Sequence, residues 1–117
     1  ANKTLDEWIA LEPNAGRPHY LKGLLFFETE RPSEAISELK LAIKLDPNDT
    51  RSMYNIATYY FQDKKDLNLA ESYIKMALKI EATNLDYKYL LALIYRDLGN
   101  TAASQKIMQE LNANQQQ

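Results

Sequence analysis

Residues 46–81 read DPNDTRSMYNIATYYFQDKKDLNLAESYIKMALKIE, and this stretch decides the fold. It opens on Asp46-Pro47-Asn48-Asp49, punctuation that stops one helix and caps the next. Beyond it Ile56, Tyr59, Tyr60 and Asp63 lie three or four residues apart. After a break at Lys64–Asp66, the ladder resumes with Ile74, Ala77 and Leu78. Residues so spaced share one helix face. The stretch therefore reads as two helices, near 50–62 and 68–81, joined by a tight turn.

The same hairpin recurs on both sides. Pro13 and Pro47 stand 34 residues apart, each after an acidic residue and before Asn, and 35 residues on, Glu81-Ala82-Thr83-Asn84 is a degenerate copy. Five further slots keep the register: Gly23, Ala57 and Ala92; Phe26, Tyr60 and Tyr95; Ala35, Ala70 and Ser104; Leu39, Ile74 and Met108; Ala42, Ala77 and Leu111. The one extra residue of the middle copy falls around Lys64-Lys65-Asp66, where a solvated turn absorbs it at little cost. Helices are expected near 17–29, 33–45, 50–62, 68–81, 85–98 and 101–113. Asp49 and Asn84 are the expected N-caps. Residues 4–11, with Leu5, Trp8 and Ile9, read as a shorter seventh helix, the second half of a truncated unit.

This pattern resembles the tetratricopeptide repeat family, which builds two helices over about 34 residues and sets a small residue against a large one. Here the small residues are Gly23, Ala57 and Ala92 on first helices and Ala35 and Ala70 opening second helices; Phe26, Tyr60 and Tyr95 are the large ones. Small residues let two backbones approach, and an aromatic ring fills the space one turn on. The resemblance implies an all-α fold, an α-solenoid of antiparallel helix hairpins wound as a right-handed superhelix. One domain over 1–117 is expected. It comprises a partial N-terminal unit at 4–13, repeats at 16–49, 50–84 and 85–113, and a polar tail at 114–117. Departures from the pattern are His19, Met53 and Lys88 in the early tryptophan slot, Lys22 for a leucine, and Ser104 and Leu111 in alanine slots. The last two suggest a terminal or imperfectly packed third repeat.

Composition narrows the function. A net charge of −2, from 14 basic and 16 acidic residues, offers no basic excess for phosphates, so nucleic acid is not an expected partner. Without cysteine there is no disulfide, thiolate metal site or cysteine nucleophile, and the compartment, cytoplasmic or periplasmic, stays open. Apolar runs such as Leu24-Leu25-Phe26-Phe27 fall far short of a membrane span, so direct membrane insertion is not expected. The chain shows no signal-peptide pattern. It opens at Ala1, as expected of a processed product or an excised domain. His19 lacks a second histidine for a metal, the acidic pairs sit at helix ends, the serines lie in helical contexts and the glycines are isolated. No enzyme activity, cofactor or metal is expected.

The aromatic residues carry the functional reading. Phe26, Tyr60, Tyr95 and Tyr59 are assigned to repeat interiors. The resemblance implies that first helices line a concave face. Its slots hold Arg17, Tyr20, Leu24, Phe27 and Glu28; then Arg51, Tyr54, Thr58, Phe61 and Gln62; then Asp86, Tyr89, Leu93, Arg96 and Asp97. Tyr20, Tyr54 and Tyr89 share one register, a ladder of amphipathic rings suited to gripping a peptide with apolar anchors. Arg17, Arg51 and Arg96 are placed to pair with its carboxylates. Packing of the same tyrosines on a neighbouring helix remains the alternative. Some family members clamp the acidic tails of chaperones. The matching slots here, Tyr20, Leu24, Asn55, Asp86 and Leu90, keep only the asparagine, so a chaperone C-terminal tail is not the expected ligand.

Two readings follow. One is a protein–protein interaction scaffold that holds a peptide or partner segment in the concave groove. The other is structural: self-assembly through the solenoid ends, or docking within a larger protein, such as the bacterial envelope and multihaem redox proteins to which such repeats are fused. Leu5, Trp8 and Ile9 at one end and Ile107, Met108 and Leu111 at the other motivate it, because a solenoid end exposes apolar surface unless capped.

Overall fold

The computed structural model describes residues 2–63 and 66–115. Those residues form the helices α1 (Asn2–Leu11), α2 (Arg17–Glu28), α3 (Pro32–Leu45), α4 (Thr50–Gln62), α5 (Leu67–Ile80), α6 (Leu85–Asp97) and α7 (Thr101–Gln115), with no strand among them. The expected helices are all present, with ends within two residues of expectation. Helix α7 runs through 114 and 115 of the expected tail. Lys64 and Lys65, read as a solvated turn, and residues 116–117 lie outside the described residues.

Helices α4, α5 and α6 begin where a side chain satisfies one of the first N–H groups. Asp49 Oδ1 accepts from Ser52 N at 3.1 Å, and its Oδ2 accepts from the Ser52 hydroxyl at 2.6 Å. Asn84 Oδ1 accepts from Tyr87 N at 3.1 Å, and Asp66 Oδ1 from Leu69 N at 3.3 Å. Pro18 and Pro32 sit in first turns, where no amide hydrogen is missed. Two inner turns close alike. Arg31 N donates to Phe26 O and Glu30 N to Phe27 O; Asn100 N donates to Tyr95 O and Gly99 N to Arg96 O. This paired closure places one residue in the left-handed region. Gly99 takes φ 87°, and Glu30 takes φ 60° without glycine's freedom.

The chain divides into two compact units, Ala1–Ser52 and Met53–Gln117. In the first, α1 packs on α2 and α2 on α3. Gly23, Phe26, Ala35, Ile36, Leu39 and Ala42 are buried. The helices meet so closely at Gly23 that a Cβ there would lie 2.8 Å from Leu39 Cδ2 and 3.2 Å from the Ala35 carbonyl oxygen. His19, in the early tryptophan slot, is buried with Nδ1 2.8 Å from Glu38 Oε1, tying α2 to α3. The other departure, Lys22, reaches Asp6 of α1 at 3.0 Å.

In the second unit α6 packs against α5 and α7. Its buried residues include Met53, Ile56, Ala57, Tyr59, Ala70, Ile74, Ala77, Leu90, Leu91, Ala92 and Ile94. The third repeat is better packed than expected. Ser104 is buried, and its hydroxyl donates to the Ala92 carbonyl at 2.8 Å, joining α7 to α6; Leu111 is buried as well. The interior rings also differ. Tyr59 is buried, whereas Tyr60 and Tyr95 are only half-buried. Tyr60 stacks on Tyr73 with centroids 6.5 Å apart, and the Lys75 ammonium lies 5.5 Å from the Tyr95 centroid. A phenol keeps its hydroxyl near water or a partner, which favours the border of a core over its centre. Phe26, without a hydroxyl, is the buried residue of that slot.

Candidate partner-binding surface

On α2, α4 and α6 the expected site residues follow the spacing i−3, i, i+4 and i+7, which keeps them on one face of each helix. On α2, Arg17 is exposed, and Tyr20, Leu24 and Phe27 are half-buried. On α4, Arg51 is exposed, and Tyr54, Thr58 and Phe61 are half-buried. On α6, Tyr89 is 47% exposed, Leu93 is half-buried and Arg96 is exposed. None of the eleven is buried, while Gly23, Ala57 and Ala92, on the adjoining packed stripe, are. Every one of the three helices thus keeps an aromatic and aliphatic stripe accessible after its core face has packed.

Some of these residues meet. In the first unit Arg17, Tyr20 and Arg51 line a cleft of about 110 Å³, together with Asp46 and Asp49 of the α3–α4 turn. In the second unit the Tyr54 ring lies 5.2 Å from the ring of Tyr87, tilted by 30°. Thr58 turns its hydroxyl back to the Tyr54 carbonyl at 2.8 Å, so its methyl group remains for contact. Arg96 Nε donates to the neighbouring Asp97 at 3.1 Å. The ring against Tyr54 is therefore Tyr87, not the Tyr89 of the expected ladder.

Tyr87 escaped the sequence reading, although a signal existed. Pro18, Ser52 and Tyr87 occupy one repeat slot, at the same 34- and 35-residue steps, and all three are buried. Asp46 and Asp49 were legible only as turn and cap residues. Their place on the cleft wall follows from the turn lying beside the start of α2.

A second cleft, of about 340 Å³, opens along α2 and α3 between Lys22, Phe26, Ser33, Glu34, Ser37 and Glu38. Its polar groups are partnered from within: Lys22 pairs with Asp6 and Glu34 with Arg31, and Glu38 is hydrogen-bonded to His19. On the second unit, Lys75 reaches Glu71 at 2.6 Å, and the hydrogen bonds it donates to Glu71 and then to Tyr95 hold its ammonium above the ordinary lysine value. Among the described residues no group of three histidine, cysteine or acidic side chains could hold a metal, and no helix is long and apolar enough to cross a membrane.

The family model described as Tetratricopeptide repeat matches residues 16–49, 50–84 and 85–113. No curated protein matches the sequence. Among solved structures, a crystal structure of MamA is similar with a TM-score of 0.81 and 18% identity, over 95% of this chain and 64% of that one. A second crystal structure, of MamA protein, gives 0.81 and 17% over 93% and 59%. At these identities the likeness establishes the fold alone. The chain spans less than two-thirds of the length of either.

Proposed function

This chain belongs to the tetratricopeptide repeat family, a non-catalytic scaffold that binds protein partners, and from that premise we propose that its first helices hold an extended or helical peptide segment with apolar anchors. One observation carries the reading. The stripes Tyr20-Leu24-Phe27, Tyr54-Thr58-Phe61 and Tyr89-Leu93 stay accessible on three successive first helices, although the packed faces of the same helices are closed. Rings that present an apolar body and a polar edge give large contact area at low entropic cost, and such residues dominate binding hot spots. The single domain expected over 1–117 belongs to this reading, with 4–13 as its partial first unit.

A random peptide library displayed against the chain tests it. Selected peptides are expected to carry aromatic or aliphatic anchors and to lose at least tenfold in affinity to Tyr54→Ala with Phe61→Ala. That variant should keep the helical circular dichroism of the parent. Peptides that bind the double variant unchanged would sink the assignment. A structural role is the second reading, favoured by the exposure of Leu11 (83%) at the end of α1 and of Met108 (40%) on α7. Sedimentation over a range of concentrations separates the two, since a strict monomer removes self-assembly.

A further inference from the structure

The second helices of the first two repeats end alike. Residues 40–46 read KLAIKLD and residues 75–81 read KMALKIE, in one register 35 residues apart. The alanine of each, Ala42 or Ala77, is buried, and the residues around it face outward. In α5, Lys75, Lys79, Met76 and Ile80 fall within about 140° of the helix circumference. All four are exposed, Met76 at 41% and Ile80 at 43%, and no acidic residue of α5 shares their arc. In α3, Lys40 and Lys44 are exposed and Leu41 and Leu45 half-buried at the same places. Glu34 enters that arc two turns earlier, with both oxygens engaged by Arg31. Among the described residues Lys40, Lys44 and Lys79 form no hydrogen bond or ion pair, and Lys75 is held by Glu71. Helix chemistry explains only part of this. Lys44 and Lys79 lie in last turns, where a cation offsets the helix dipole. The dipole gives no reason for Lys40 one turn earlier, nor for Met76 and Ile80 standing in water beside the cations. The fold does not require the pattern either, because the same slots of α7 hold Gln109, Glu110, Ala113 and Asn114.

We infer that these outer edges adsorb the protein on an anionic lipid bilayer, with the lysines at the headgroup phosphates and Met76 and Ile80 at the headgroup–acyl boundary. Cations and apolar side chains set side by side on an exposed helix arc are what a helix lying on a membrane presents. Lysine stems run along apolar surface while their heads stay in water. The lysines also select the partner's charge, which must be negative although the chain as a whole carries −2. A flat partner fits these edges better than a peptide, because neither cleft of the first unit includes Lys40, Leu41, Lys44 or Leu45. Adsorption through so few charges is reversible and weakens with salt. It uses none of the residues of the first-helix stripes, so it stands apart from the peptide-binding role.

Sedimentation of the chain with vesicles tests this. One set is phosphatidylcholine alone, the other phosphatidylcholine and phosphatidylglycerol in equal parts. The parent should bind the mixed vesicles at low salt, release them at high salt and ignore phosphatidylcholine. A lysine near an anionic bilayer contributes about fivefold in partitioning, so Lys40→Gln, Lys44→Gln and Lys79→Gln together should weaken binding by more than about tenfold. Met76→Ser with Ile80→Ser should weaken it severalfold. Lys106→Gln on α7, where the pattern is absent, and Tyr54→Ala with Phe61→Ala should each leave it within about twofold. The replaced lysines, Met76 and Ile80 are exposed, and unaltered thermal melts of their variants confirm that the fold is intact. Equal binding to both vesicle sets, binding to neither, or an unchanged affinity of either weakened variant would each overturn the membrane surface. So would capture of polyglutamate by the same lysines without vesicle binding, which would make the partner an acidic protein.

Discussion

At the scale of single residues, space and backbone angle decide what each position tolerates. Gly23→Ala adds a carbon within 2.9 Å of two Leu39 atoms. Helix propensity alone favours alanine, yet overpacking at a helix crossing costs more. Urea denaturation should show a net loss of about 1–2 kcal/mol. Glu30→Gly runs the other way. Its left-handed φ penalises any side chain, so the variant should gain about 1 kcal/mol in the same experiment. Much at this scale was readable in advance. Gly23, Ala35 and Ala70 announced close approaches through their recurrence, and all are buried. The hydrogen bond of His19 with Glu38 was not readable, because the partners are 19 residues apart and meet only once α2 and α3 have folded. Nor was the border position of Tyr60 and Tyr95. Periodicity names the face a ring occupies but not how far its hydroxyl remains from the core.

Among helices, caps and inter-helix bonds set the stability. Asn84→Ala removes the acceptor for the Tyr87 amide at the start of α6 and should cost about 1 kcal/mol, read from a chemical denaturation midpoint. The Glu71–Lys75–Tyr95 link joins α5 to α6 and titrates. Its lysine is raised above 10.5, so the folded state holds that proton more tightly than the unfolded chain. The stabilisation is complete below the unfolded lysine value and disappears as pH climbs through the folded one. Thermal melts of parent and Lys75→Met should therefore converge as pH passes 10.5. The lysine side chain is half-exposed, so the difference is small and shrinks further with salt. Helix boundaries were the most legible part of the fold, because prolines and Asx caps mark them locally. The α6–α7 seam was misjudged, since Ser104 looks like a flaw in an alanine slot until its hydroxyl is seen against the Ala92 carbonyl.

On the scale of the whole molecule, repetition itself made the architecture readable: six slots at one period leave few folds that could satisfy them. Function was less legible. The sequence separates the packed stripe of each first helix from its accessible stripe, but a ligand adds nothing to that period, so the place of Asp46 and Asp49 on the cleft wall came into view only with the folded structure. The paired variant Tyr54→Ala with Phe61→Ala tests recognition, and Leu39→Ala tests the scaffold. Leu39 is fully buried, and its truncation should lower stability by about 2–5 kcal/mol, read by calorimetry as a lower melting temperature. The turn at Gly99 has a practical use. A carbon added there would meet nothing within 4 Å, and Leu98 to Thr101 are all exposed. A fluorescent tag or lanthanide-binding loop grafted after Asn100 has open solvent around it, which makes that corner the natural place to wire a sensor for peptide capture.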